Sequence, residues 1–186
     1  IQAYARVHGM PFSSIYHYLD LVAVSIASDI VPITGENRVM AQFGLKQLNE
    51  SPRTGLKEII RESEVSRALS IEDVVFKIGP RINAAGRMET GSKAVDLLVS
   101  SDTALATGIS KEINNFNIER RNVDRIITTE AMRMIAEDQA TVNSKTTVLY
   151  NPNWKKGVIG IVASRLIETY YRPTVILTES NGFATG

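Results

Sequence analysis

From Ser101 to Asp138 the chain runs for 38 residues with no proline and a single glycine, Gly108. Proline removes a backbone donor and crowds the carbonyl four residues back, and glycine loses the most freedom on ordering. A stretch this free of both is open to one long helix. Leu105, Ile109, Ile113, Phe116, Ile126, Ala131, Met134 and Ile135 fall at helical spacing along it. The pattern predicts a long helix with an interruption near Gly108. Its middle, Asn114-Asn115-Phe116-Asn117-Ile118-Glu119-Arg120-Arg121-Asn122, is strongly polar. That is expected of a helix bridging two lobes rather than lying in one core.

The flanks differ in kind. Tyr18 to Ala27 is a nearly continuous apolar run, a buried parallel strand or a buried helix, which periodicity alone does not separate. Pro32 and Gly35 punctuate the next stretch, and Asn37 to Leu48 has helical spacing, so the opening to Leu48 reads as alternating α and β material. Ser51-Pro52-Arg53-Thr54-Gly55 reads as a turn, Leu56 to Ser63 as a short helix. Ser70-Ile71-Glu72-Asp73 offers a cap and an acidic first turn, predicting a helix that Gly79-Pro80 ends. Lys93 to Val99 is another short periodic segment. Beyond the long helix, Thr146 to Tyr150 reads as a strand, Val158 to Tyr170 as a helix and Thr174 to Leu177 as a strand, the order of a parallel α/β unit. The fold class expected is therefore α/β. Residues 1–100 would end one α/β domain, 101–142 form a helical connector, and 143–186 begin a second α/β domain.

Composition narrows the classes. Hydrophobic residues make up 44% and charged residues 22% of 186, which permits a sizeable core. Lys and Arg number 21 against 20 Asp and Glu, so any nucleic-acid contact must come from a local cluster rather than from overall charge. With no Cys there is neither a disulfide framework nor a thiolate metal site, which fits a reducing, cytoplasmic location. No stretch approaches the roughly 20 apolar residues of a membrane helix, and the start has no signal-peptide core. The chain begins with Ile and stops at Gly182-Phe183-Ala184-Thr185-Gly186, directly after a strand-like run. Both ends read as cuts in a longer protein.

Three segments could carry chemistry. Asp29 ends the apolar run, with Pro32 turning the chain away. A carboxylate at the end of a buried element is a hard ligand suited to Mn²⁺ or Mg²⁺. The alternative is an Asp that caps the next turn. In Phe76 to Met88, two glycines and two alanines leave the backbone close to whatever Arg81 and Arg87 reach, and arginine suits bidentate phosphate contact. The alternative there is a helix-connecting loop whose arginines pair with nearby acids. In Trp154 to Leu166, Lys155 and Lys156 precede Gly157 and Gly160 at a loop-to-helix junction, where free amides can meet an anion. Its alternative is close packing of helix on sheet with Gly160 at the contact point. His8 and His17 sit in no metal-ligand spacing.

In this order the three segments resemble the RecJ family of the DHH phosphoesterase superfamily. Asp20 to Ile33, followed by Gly35-Glu36-Asn37-Arg38, resembles the family's fourth catalytic motif. Gly79-Pro80-Arg81-Ile82-Asn83-Ala84-Ala85-Gly86-Arg87-Met88 is the most specific match, and Gly157 to Leu166, with Arg172-Pro173, resembles the opening of the DHH-associated domain. The resemblance implies the end of a DHH catalytic domain, a connector and the start of the DHH-associated domain. It implies a single-stranded-DNA-specific 5′→3′ exonuclease of DNA repair and recombination, using two divalent ions, Mn²⁺ or Mg²⁺. A helicase or a single-strand-binding protein would be its candidate protein partners, and no membrane is involved. Asp29 would be the one metal ligand present, the family's Asp-x-Asp and Asp-His-His lying upstream. Arg81, Asn83, Arg87, Lys155, Lys156, Gly157, Gly160 and Arg165 would meet the nucleic acid. Lys155 stands where the family often has His, and a lysine there can still contact phosphate. This chain alone would hydrolyse nothing. The competing readings are a phosphodiesterase of oligonucleotides or cyclic dinucleotides and a catalytically inactive DNA-binding scaffold.

Overall fold

The structure, a computed structural model, describes residues 1–186 and divides into two compact units. One comprises Ile1–Ala85 and Thr90–Asn115, the other Gly86–Glu89 and Phe116–Gly186.

The first unit is helical throughout. Its elements are α1 (Gln2–Val7), a 3₁₀ segment (Phe12–Tyr18), α2 (Leu19–Ser28), α3 (Gly35–Glu50), α4 (Thr54–Glu62) and α5 (Ile71–Asp73). A π turn (Val74–Ile78) leads into α6 (Gly79–Met88), and α7 (Ser92–Val99) precedes the long α8 (Thr103–Glu137). The ambiguous run is thus a helix, α2, and the expected alternation of α and β in the opening is corrected: no strand occurs before residue 147. Its apolar residues satisfy helical as well as strand burial, and the partner that decides is α3, whose Gly44 lets the two backbones approach. A Cβ there would lie 2.1 Å from the Leu19 carbonyl oxygen. Ala23, Val24, Ala27, Leu48, Leu56, Ile59, Val74, Ile78, Leu97 and Ile113 form the core. Asp20 is fully buried and held in a bidentate pair by Arg53, Nε to Oδ2 at 2.9 Å and Nη2 to Oδ1 at 2.7 Å.

The expectation that Gly79-Pro80 ends a helix is also corrected. Ser70 caps the helix as the sequence predicts, in a capping box with Asp73, but the helical path then continues to Met88. Pro80 cannot bond back and would press on the carbonyl four residues earlier. The π turn widens the helix just before it, with the Gly79 amide bonding to Val74 O, five residues back.

In the second unit, α8 continues and is followed by α9 (Gln139–Val142), β1 (Thr147–Tyr150), α10 (Lys156–Tyr170), β2 (Thr174–Ser180) and β3 (Phe183–Thr185). The helix α8 has 35 residues without a break at Gly108, about 50 Å at 1.5 Å per residue. The sheet order is β1-β2-β3. β1 and β2 are parallel, with Leu149 opposite Ile176, as expected for a strand–helix–strand unit. β3 returns antiparallel, Ser180 opposite Phe183, through Asn181 and Gly182, both at positive φ (54° and 79°). Asn-Gly is the usual signal for such a two-residue hairpin. The core joins Ile127, Ala131 and Ile135 of α8 to Leu149, Trp154, Val158, Val162, Leu166 and Ile176.

Candidate nucleic-acid interface

In the first unit, Asp29 caps the C-terminus of α2 and is exposed. Its amide bonds to Ser25 O at 3.0 Å, and the amides of Ile30 and Val31 return to Ala27 O and Ile26 O, both at 3.3 Å. This pairing is the Schellman arrangement, whose turning residue is normally glycine. Here it is Ile30, at φ 51° and 75% exposed. A β-branched residue in this region is strained, and the strain lies next to the candidate ligand.

Gly79 packs on the same helix end. A Cβ at Gly79 would lie 2.6 Å from Ser28 Oγ and 3.3 Å from Ser28 Cα. The Ser28 hydroxyl is buried there without a hydrogen-bond partner. The first two sequence segments therefore meet at Ser28, beside Asp29. No three His, Asp or Glu side chains come together in a way that could hold a metal ion. One exposed carboxylate does not fit a divalent ion on its own, so these residues do not assemble a metal centre by themselves. His8 stacks on Tyr4 and His17 on Tyr18, with ring centroids 4.1 Å and 3.8 Å apart.

Arg81 is spent on the fold. Its Nε bonds to Asn114 Oδ1 at 2.9 Å, Nη1 to Lys77 O at 2.7 Å, and Nη2 to Glu62 O at 3.1 Å. Glu62 O lies at the end of α4, where the last carbonyls lack a helical partner and seek an outside donor. Asn83, four residues before Arg87 on α6, is exposed, and the two share one helix face.

In the second unit, the last turn of α6 meets the first turn of α10. Arg87 Nη1 bonds to Gly157 O at 3.1 Å, and a Cβ at Gly157 would lie 2.1 Å from Arg87 O. The close approach is thus at Gly157. Gly160, which the packing alternative put at the contact, is exposed with nothing within 4 Å of its Cβ position. No side chain caps α10, so its first amides, those of Lys156 and Gly157, have no helical partner. Lys155 occupies the N-cap position, 3.6 Å from Glu119, and Lys156 is exposed. The loop before α10 is anchored from below. Glu130 accepts from Trp154 Nε1 (2.8 Å) and Asn151 Nδ2 (2.9 Å), and Thr178 Oγ1 donates to Trp154 O (2.6 Å).

Arg165 reaches from α10 to the buried Asp124 of α8, 2.9 Å away. Between Asn117 and Asp124 on α8 lies Arg120, within the polar stretch Asn114 to Arg121 that the sequence offers either as a solvated helix face or as the lining of a groove for a phosphate backbone. Burial pushes its guanidinium below its ordinary value, as do the positive charges of Arg121, Arg87 and Arg165, while Asp124 opposes them. A signal for it was present. The inward stripe of α8 runs Ile113, Asn117, the half-buried Arg120, Asp124, Ile127 and Ala131, at the alternation of three and four expected of such a face. Polar residues on an apolar stripe mark a place where the helix does something other than pack.

No protein-family model matches the chain. It is 39% identical over 172 residues to the single-stranded-DNA-specific exonuclease RecJ of Bacillus subtilis, covering 90% of this chain and 22% of that protein. To the enzyme of the same name from Thermus thermophilus it is 35% identical over 165 residues, 89% of this chain and 24% of that one. The crystal structure of Thermus thermophilus RecJ in complex with Mn²⁺ superposes with a TM-score of 0.82 at 31% identity, covering 94% of this chain and 26% of that one. The structure of the same protein with Mg²⁺ gives 0.83 at 31% identity, covering 94% and 27%. The chain spans about a quarter of the length of these relatives.

Proposed function

This chain belongs to the RecJ family, and we propose that it serves as part of a metal-dependent exonuclease that degrades single-stranded DNA from the 5′ end in the cytoplasm, in DNA repair and recombination. One observation carries the reading furthest. In a chain of net charge +1, Arg87 is bonded into the uncapped first turn of α10 between Lys155, Lys156 and Gly157. Free amides, a helix N-terminus and flexible cations are what a phosphate backbone requires. In the second unit, Arg87, Lys155, Lys156, Gly157 and Arg165 form the strand-facing set of this proposal, and in the first unit Asn83 is proposed as a separate nucleic-acid contact. Gly160 adds access by its missing side chain, and Arg81 contributes through the fold it fixes.

Asp29 is proposed as one carboxylate ligand of the divalent pair, Mn²⁺ or Mg²⁺. Such ions supply charge stabilisation to the reacting phosphoryl oxygens when bound. The remaining ligands would come from outside these residues, so this chain alone is expected to hydrolyse nothing. Residues 1–100, 101–142 and 143–186 are proposed as catalytic-domain end, connector and start of the DNA-binding domain, with a helicase or single-strand-binding protein as partner.

The test uses the full-length protein carrying this chain, on 5′-phosphorylated single-stranded DNA with Mn²⁺, wild type against Asp29→Ala. Loss of 5′-end degradation with folding intact is expected. Unchanged degradation would return Asp29 to the role of a helix cap. No degradation by the wild type would favour a DNA-binding scaffold.

A further inference from the structure

Arg120 is not explained by the packing around it. Its Nη2 bonds to Asn117 Oδ1 at 3.1 Å, but Nε is out of reach of solvent and has no acceptor. Asn117 is itself 1% exposed, so the α8 face holds the arginine from below without neutralising it. The carboxylate that could do so, Asp124, already accepts from Arg165 at 2.9 Å and from Thr128 Oγ1 at 3.4 Å. Glu119, next in sequence, stands 3.6 Å from Lys155. Guanidinium groups do not shed their proton at ordinary pH, so the half-buried charge of Arg120, for which Asp124 is shared with Arg165, favours a further anion beside it. The neighbouring charges that act on Arg120 are the carboxylate of Asp124, which Arg165 shares, and the guanidinium groups of Arg121, Arg87 and Arg165, three further forks suited to phosphate oxygens.

We propose that Arg120, with Arg87, Arg121 and Arg165, forms a phosphate subsite of the second unit that takes a backbone phosphodiester of a single strand, with Arg120 as its anchor. The inference rests on the nucleic-acid reading above and goes beyond it in naming residues of the long helix as the contact. A polymer is favoured over a free phosphate by Arg87. This one side chain is both a neighbour of Arg120 and hydrogen-bonded to Gly157 in the first turn of α10. The positive tract therefore continues from the arginine cluster to Lys155 and Lys156, beyond what one phosphate would cover. Rotation of the Arg120 side chain onto a phosphate oxygen would give the orphaned Nε its missing acceptor.

The experiment records the arginine Nε–Hε resonances of the ¹⁵N-labelled chain, that of Arg120 assigned by its disappearance in Arg120→Lys. The ligands are a thymidine oligonucleotide of about 12 nucleotides, within the usual single-strand site size, and inorganic phosphate, at ionic strength held constant with chloride. The expected result is a saturable shift of the Arg120 signal with the oligonucleotide that chloride does not produce. Arg120→Gln, its fold checked by Trp154 fluorescence, should bind the oligonucleotide about tenfold more weakly and lower the slope of log K against log salt by about 0.7, one single-strand phosphate contact. Arg133→Gln, on the exposed side of α8 beside Glu137, should leave both unchanged. Binding that depends on Lys155 and Lys156 while Arg120 stays still would overturn the subsite and leave the nucleic-acid reading standing. A shift with phosphate but none with the oligonucleotide would overturn the polymer as occupant. A chain that binds neither would overturn both.

Discussion

Two glycines three residues apart on α10 should respond to alanine with opposite signs. At Gly160 a Cβ meets nothing within 4 Å, so Gly160→Ala should gain the ordinary helix preference, about 0.8–1 kcal/mol. At Gly157 the same methyl would stand 2.1 Å from Arg87 O and 2.9 Å from Arg87 C and Cα. These are backbone atoms, so no rotamer change relieves the contact, and α10 must move more than an ångström away from α6. Forced overpacking costs about 1–3 kcal/mol, and the shift also breaks the Arg87–Gly157 hydrogen bond, worth about 1 kcal/mol at a partly exposed site. Against a helix gain of under 1 kcal/mol in the first turn, Gly157→Ala should lose about 2–3 kcal/mol net. The assay is urea unfolding followed by fluorescence of Trp154, the single tryptophan, which is buried in the second unit's core. Equal stability of the two variants, or a Gly157→Ala at wild-type stability, would refute the close approach of Arg87 to the first turn of α10.

Arg53→Met should destabilise the first unit by about 3–5 kcal/mol in chemical denaturation, because it strands the fully buried Asp20 carboxylate. Arg53→Met combined with Asp20→Leu should recover most of the loss. The Ser70 amide, then Arg67 and Lys77, hold the Asp73 carboxyl well below the usual carboxylate range. A depressed folded pKa gives stability that is fully present above the unfolded value near 4 and lost as pH falls through and below it. Acid unfolding of the first unit should therefore begin as pH drops past about 4, and Asp73→Asn should flatten that part of the profile. Ile30→Gly should raise thermal stability by about 0.5–1 kcal/mol, the relief of a left-handed β-branched residue less the freedom glycine gives the unfolded chain. Unchanged stability would show that Ile30 is not strained at the end of α2.

Local chemistry is what the sequence alone determined. The long helix followed from 38 residues without proline, the parallel strand–helix–strand from alternating composition, and the α5 cap from Ser70 and Asp73. Family membership was legible in three motifs in order, because the residues that carry it are contiguous in the chain. The Asn181-Gly182 turn is equally local, but the strand it leads into, Phe183–Thr185, is three residues long, too short to show a period of its own.

Tertiary structure decided what depends on partners far away in the chain. Whether Tyr18 to Ala27 was helix or strand turned on Gly44, some twenty residues on, admitting the α2 backbone. Pro80 read as a stop because nothing local announces that a π turn will absorb it. Arg81 and Arg87 look alike in sequence, yet one is saturated by Asn114 and two carbonyls while the other reaches Gly157 and the arginine cluster. Gly157 and Gly160 also look alike, and only the backbone of Arg87 separates them. The physical reason is the same in each case. Propensity and motif are properties of a few adjacent residues, whereas close approach and charge neutralisation are properties of pairs that folding alone brings together.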